Sequence, residues 1–366
     1  MNKGIKKIAT ENPIEEQWKL LLRYGYPANI SKFFKEKGFK VDDEIIEFVS
    51  GSIMQAHAYF EVANKSSLYI KPLLVYYGVS NLMAGAGTLI KGEKLNIKGH
   101  GMKLIAPQNL EKGIATSNIK IVDEKNGAFS NFIKIFFRGL DLPKGTIWEL
   151  KELFSFIPDL KNDFESCYSG ISANVLPIEI VKLRNITIER IHFEDCPNLK
   201  ENYEIFSRIQ DFSKSYLKPQ IQEDKVILYR KLNNYEDIGI YSINGRKYLQ
   251  VSIVKNGKLI SIPPLMSMYM GLYALGYLSR YHPNIWNPFI QKDLTGEKLL
   301  VEKFLSISMR HIPNLVLNLI EEKNIQFVNE TDGITDLRFV TLKSEIEDII
   351  SEKIDELLYS EGLKYK

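Results

Sequence analysis

Two long stretches of this chain carry no charged side chain: Pro72 to Ile90, with the sequence PLLVYYGVSNLMAGAGTLI, and Pro263 to Leu278. A helix without charge on any side is stable in a water-soluble protein only where neighbours cover it all round. The two stretches are therefore expected to be helices that pack together in one core. Each is followed by a polar cluster, Gly99-His100-Gly101 after the first and Ser279-Arg280-Tyr281-His282-Pro283, then Trp286, after the second. The first stretch spans 19 residues, the length of a membrane span. Its content of Tyr76, Tyr77, Ser80, Asn81 and three glycines, with no basic stop-transfer cluster at either end, favours a buried core helix and no membrane partner.

The rest of the composition is that of an ordinary globular chain. With 366 residues and 45% apolar content, the length allows two or three domains around a large core. The 48 Lys and Arg against 45 Asp and Glu leave a formal charge of +3, so global charge demands neither a nucleic acid nor a membrane surface. Any such binding has to come from a local patch. Residues 1 to 40 are the most basic part, with nine Lys or Arg against four Glu, and Phe33, Phe34 and Phe39 among them point to a solvated face on a packed helix. Cys167 and Cys196 are too few for a disulfide framework and lack metal-binding spacing, as expected in a reducing compartment. The basic N-terminus has no apolar run behind it, so no secretory signal is expected and the protein is placed in the cytoplasm.

Periodicity divides the chain into helical ends and a mixed middle. Trp18, Leu21 and Leu22, then Ile45, Ile46, Val49, Ile53 and His57, recur at helical spacing. Ile119 and Ile121, then Asn126-Gly127, then Phe129, Ile133, Ile135 and Phe137 alternate around a turn signal, which predicts a β-hairpin. Strands are expected over 185–193 and 225–230, and a three-strand meander over 238–262, turned by Asn244-Gly245 and Asn256-Gly257. Helices are expected again over 263–278, 299–309 and 313–322, and in a C-terminal stripe of Ile346, Ile349, Ile350, Ile354, Leu357 and Leu358. The fold class is α+β, mainly α, with an antiparallel β-meander inserted between helical halves. The expected parts are 1–110, 111–262 and 263–366.

Several polar groups are candidates for chemistry. Tyr269, Tyr273, Tyr277 and Tyr281 recur every four residues and form one stripe on the second helix. Such a stripe serves as an aromatic platform for bases or, the preferred reading, as a core or dimer packing seam. Arg280 suits a helix C-terminus, where a cation meets the last carbonyls. If the two helices pack together, Arg280, His282 and His100 would form an anion or phosphate site with a general acid or base. His57 reads as a core histidine, His192 lies in an expected strand, and Arg310-His311 sits at an expected helix junction before Pro313. No metal-binding H-E-x-x-H, phosphate-binding G-x-x-x-x-G-K-[ST] or nucleophile-elbow G-x-S-x-G is present, so neither a metal nor a cofactor is expected.

The run from Gln55 to Ala84, with Leu278 to Pro283 and Trp286, resembles the YaaC-like protein family of bacteria. That resemblance implies a bacterial intracellular protein and brings no activity with it. Tyr76-Tyr77, Asn81-Leu82, Ala84 and His100-Gly101 also resemble the paired tyrosines, small residues and late histidine of HEPN domains. These are helical modules that commonly dimerise and often occur in bacterial stress, toxin and antiphage systems. Many are metal-independent ribonucleases that use an arginine, a polar residue after it and a histidine four to six positions later. Here His282 is two positions after Arg280 and His311 is next to Arg310, so the ribonuclease spacing is missing. The resemblance thus implies a HEPN-like helical core and a homodimer. The charge-free helices, the tyrosine stripe and the lack of a catalytic set point to a binding or scaffold protein for a protein, RNA or nucleotide partner. Tyr76, Tyr77, Tyr273, Tyr277, Tyr281 and Trp286 are the binding candidates, and Arg280, His282 and His100 the catalytic ones. The alternatives are a ribonuclease effector and a nucleotide-sensing module.

Overall fold

The computed structural model describes residues 5–328, apart from 96, 106–118, 125, 144, 184–185, 197–198, 200–202, 223, 232–236 and 294. The stripe of isoleucines and leucines over 346–358 lies outside the described residues. The chain opens with β1 (Ile5–Ala9), α1 (Pro13–Leu22), α2 (Pro27–Glu36), α3 (Asp43–Lys65) and α4 (Lys71–Lys91). A mixed segment follows, with β2 (Met102–Ile105), β3 (Lys120–Asp123), α5 (Ala128–Phe136), β4 (Ile147–Glu149), α6 (Leu150–Ser155) and α7 (Lys161–Cys167). Then come β5 (Val175–Leu183), β6 (Ile186–His192), α8 (Phe212–Ser215), β7 (Gln220–Ile221), β8 (Lys225–Tyr229), β9 (Ile240–Tyr241), β10 (Lys247–Gln250), β11 (Ile253–Lys255) and β12 (Lys258–Ile260). The described part closes with α9 (Pro264–Tyr281), α10 (Pro283–Lys292), α11 (Lys298–Glu321) and β13 (Asn324–Val328). The molecule is α+β and mainly α, with antiparallel sheets.

The two charge-free stretches are α4 and α9, and they pack on each other. α3 and α11 also lie on α4, and α6 lies on α9, so both helices are covered on several sides. α4 is long and apolar enough to cross a membrane, yet 67% of its most apolar window is buried inside the protein. Close approach to α3 depends on small residues. A Cβ added at Gly78 would stand 2.8 Å from Phe60 Cδ2 and 3.1 Å from Tyr59 Cβ. α3 starts on Asp42, whose carboxylate accepts from Ile45 N–H at 2.9 Å, and α4 ends on Gly92 in the left-handed conformation, φ 72°.

Three expectations about local structure are overturned. The region after Gly127 is the helix α5 and not the second arm of a hairpin. Phe129, Phe132, Ile133 and Phe136 bury one helical face, which outweighs the alternation of Phe129, Ile133, Ile135 and Phe137. β3 pairs instead with β2 and β4, which sets Leu104 opposite Ile121 and Ile121 opposite Trp148. The expected meander is two separate hairpins. β9 and β10 join the large sheet, whereas β11 and β12 pair only with each other around Asn256 and Gly257, at φ 50° and 74°. The break falls at Val251 and Ser252, whose amides donate to Asn174 O and Arg208 O. Finally, the helices expected over 299–309 and 313–322 are one helix, α11, which continues through Pro313.

The large sheet has the order β7-β8-β6-β5-β10-β9, antiparallel throughout. Leu176, Ile178, Ile191, Val226, Leu228, Leu249 and Val251 on one face pack with Phe206 and Phe212 into a second apolar core. The same face buries Lys247, fully enclosed, against Glu189 at 2.9 Å and Asp237 at 2.7 Å, with Arg230 completing the network. The main core runs through the helices and includes Trp148, Phe154 and Ile157 from the middle of the chain.

Candidate functional site

The loop carrying His100 is fixed from three directions. Ala128 and Phe129, at the start of α5, donate their N–H groups to the carbonyls of Gly99 and His100, each at 3.1 Å, and Glu124 N–H donates to Gly101 O at 2.9 Å. Gly101 (φ 72°) and Gly127 (φ 147°) cross so closely that a Cβ on Gly127 would stand 2.5 Å from Gly101 Cα. From α9, Tyr273 Oη donates to Met102 O at 2.8 Å. The Gly-His-Gly sequence thus lets two backbones touch while holding one imidazole in a set place.

That imidazole meets α4 and α9 at their contact. Tyr76 Oη lies 2.7 Å from His100 Nδ1 and 3.3 Å from Tyr269 Oη, in a line running from the buried Tyr269 to the exposed His100. The Ser80 hydroxyl lies beside both phenols without an aligned hydrogen bond. The His100 ring also packs 5.5 Å from the rings of Tyr76 and Tyr273. Burial of this inner edge, and then the Arg280 guanidinium, hold His100 below the ordinary histidine range. Tyr76 and Tyr269 are pushed well above the phenol range, chiefly by burial, and Tyr273 is pushed up to about 12 for the same reason. All three stay protonated as hydrogen-bonding groups.

Arg280 stands at the exposed C-terminal turn of α9, where its Nη1 donates to Tyr77 Oη at 2.6 Å. Its guanidinium carbon lies 4.9 Å from the Tyr281 ring centroid, a cation–π contact. Tyr277 links the cluster, with ring centroids 4.7 Å from Tyr281 and 5.7 Å from His282. The tyrosine stripe therefore runs from core to surface: Tyr269 is fully buried, Tyr273 buried, Tyr277 half-buried and Tyr281 54% exposed. His100, Arg280, His282, Tyr76, Tyr77, Tyr273, Tyr277 and Tyr281 form one connected group. Trp286 does not share that open surface; it is buried in the core and its indole N–H donates to Leu68 O at 3.3 Å.

The remaining histidines have other surroundings. His57 packs edge-on against Trp18 at 4.9 Å, His192 lies 2.9 Å from the Glu179 carboxylate across two strands, and His311 is buried beside Asp159. Among the described residues, no group of three His, Cys, Asp or Glu side chains is arranged to hold a metal ion. Tyr269, Ser80 and the Met102 carbonyl were not evident as site components in the sequence. Only the four-residue spacing of the tyrosines hinted at the first of them.

Fold and site together define a mainly helical α+β protein with a His and an Arg set among tyrosines in tilted ring contact at a helix junction. The profile of the YaaC-like protein family matches residues 26–320, and the chain belongs to that family. No curated protein and no solved structure matches the chain.

Proposed function

We propose that this YaaC-like chain is a cytoplasmic binding protein without turnover of its own, acting as a homodimer and holding single-stranded RNA or a nucleotide at the α4–α9 surface. The observation that carries this reading is the link between Arg280 and His100 through the adjoining Tyr77 and Tyr76 rings, with Tyr281 against the guanidinium and Tyr277 against Tyr281. A guanidinium binds phosphate oxygens in a planar fork, and exposed tyrosine rings stack bases whatever their sequence. The paired tyrosines of α4 and the late His100 support the HEPN-like reading of the core, and with it a role in bacterial stress or antiphage defence, through a protein partner as well as the ligand.

A second reading rests on the line from Tyr269 through Tyr76 to His100. When the imidazole is neutral and Tyr76 donates to Nδ1, the ring proton sits on Nε2, on the open side. The neutral Nε2–H is a hydrogen-bond donor to a phosphate oxygen, whereas a leaving oxygen would take its proton only from the imidazolium; with the Arg280 guanidinium adding positive charge, such a pair would stabilise the phosphate charge that develops in metal-independent RNA cleavage.

One experiment separates the readings: labelled single-stranded RNA is titrated with protein in EDTA, followed by anisotropy, and the same samples are run on a denaturing gel. Saturable binding of intact RNA, weakened in Arg280→Ala and by about 5- to 150-fold in Tyr281→Ala, is expected. Cleavage that disappears in His100→Ala would put the ribonuclease reading first. Thermal stabilisation by a mononucleotide alone would favour a sensing module, and no response to either ligand would reject the proposal.

A further inference from the structure

Away from the tyrosine surface, a cavity of about 410 Å³ lies where the edge of the large sheet meets the helical body. β9 forms one wall, the start of α9 at Pro263 and Leu265 a second, and α11 a third. Small-molecule pockets fall at about 300 to 1,000 Å³ and favour such junctions between structural units. This one is at the small end of the range.

Most polar groups on its walls are already used by the fold. Asn314 Nδ2 donates to Ile325 O at 3.1 Å, and Asn318 Oδ1 accepts from Ile325 N–H at 2.9 Å, fastening β13 to α11. Asp237 is tied to Lys247 at 2.7 Å and to Arg230 at 2.9 Å. His311 differs. It is 4% exposed, it lines the cavity, and its Nδ1 lacks an aligned hydrogen bond.

Asp159 stands behind that ring. Its Oδ1 accepts from Ile243 N–H at 3.0 Å, and its Oδ2 lies 3.2 Å from His311 Nδ1. The approach is close enough for attraction yet off line for a hydrogen bond, which is why both atoms lack an aligned partner. A carboxylate facing Nδ1 favours the ring proton on that side and leaves Nε2 as an acceptor on the opposite edge of a ring that lines the cavity. An acceptor in a largely apolar wall has hydrogen-bonding capacity that an entering donor can fill.

We propose that this cavity is a second ligand site, separate from the tyrosine surface, which takes one small, largely apolar molecule that donates a single N–H or O–H to His311. Ile240, Leu265 and Leu315 enclose the apolar body, and His311 fixes its orientation. The site does not depend on RNA or nucleotide binding elsewhere.

Indole, an apolar plane with one N–H, is the probe. Titrated into protein isotopically labelled at histidine, it is expected to shift the His311 ring signals saturably and leave those of His100 and His282 in place. His311→Gln is expected to raise the Kd about tenfold, about 1.4 kcal/mol. Ile240→Trp, which fills the cavity from a half-buried position on β9, should abolish the shift while circular dichroism stays that of the parent. Unmoved His311 signals up to the solubility limit of indole, or undiminished binding by Ile240→Trp, would overturn the proposal.

Discussion

Burial of its inner edge, and then the Arg280 guanidinium, keep the His100 imidazole neutral to a lower pH than a free histidine. Arg280→Gln removes a positive charge, so His100 should titrate at higher pH in that variant, as read from the ring proton shifts in an NMR titration. A lower value in the variant would mean that the guanidinium does not act on the ring. The same shift sets a direction for stability. The folded-state value lies below the unfolded one, so the unfolded chain takes the proton first. The contribution of His100 is then complete above about pH 6.5 and is lost as pH falls through the folded value. His100 and Arg280 were legible as candidates because each sits at the end of a charge-free stretch. Their meeting was not legible, because it depends on how α4 and α9 pack. Trp286, expected among the binding residues, is buried in the core.

Helix contacts are tightest where α3 and α4 cross. Gly78→Ala adds a methyl group 2.8 Å from the Phe60 ring and 3.1 Å from Tyr59 Cβ, so α3 and α4 must move apart. The expected cost is about 1–3 kcal/mol in urea unfolding, despite alanine's better helix propensity. Gly51→Ala on α3 meets nothing within 4 Å and should stabilise by about 0.4–1 kcal/mol. If both substitutions stabilise, the crossing is looser than described. α4 and α9 were readable because an uncharged helix carries its burial in its composition. α5 was misread because Phe129, Ile133, Ile135 and Phe137 satisfy a two-residue period while Phe132 and Phe136 complete the helical one. The break between β10 and β11 depends on hydrogen bonds from the Val251 and Ser252 N–H groups to the carbonyls of Asn174 and Arg208, which are far away in sequence and leave no local trace.

At the scale of the molecule, α3 bears an outward seam of Met54, Ala58 and Val62, with Met54 46% and Val62 56% exposed. A homodimer that closes here would cover these apolar residues, spaced by four, with a second helix. Light scattering after gel filtration should give twice the 42.2 kDa chain mass, and Val62→Glu should return it to one chain. A single-chain mass for the unsubstituted protein at micromolar concentration would remove the dimer. The distance in sequence between α4 and α9 also sets a timetable for synthesis. α4 is complete at Lys91, while its partner begins at Pro264, some 170 residues later. At about 5–20 residues per second, roughly nine to thirty-five seconds pass on the ribosome before that partner starts to appear. For that interval α4, uncharged from Pro72 to Ile90, has α3 and α5 packed on it but lacks α9 and α11, so a newly made chain should depend on chaperones far more than its finished fold would suggest.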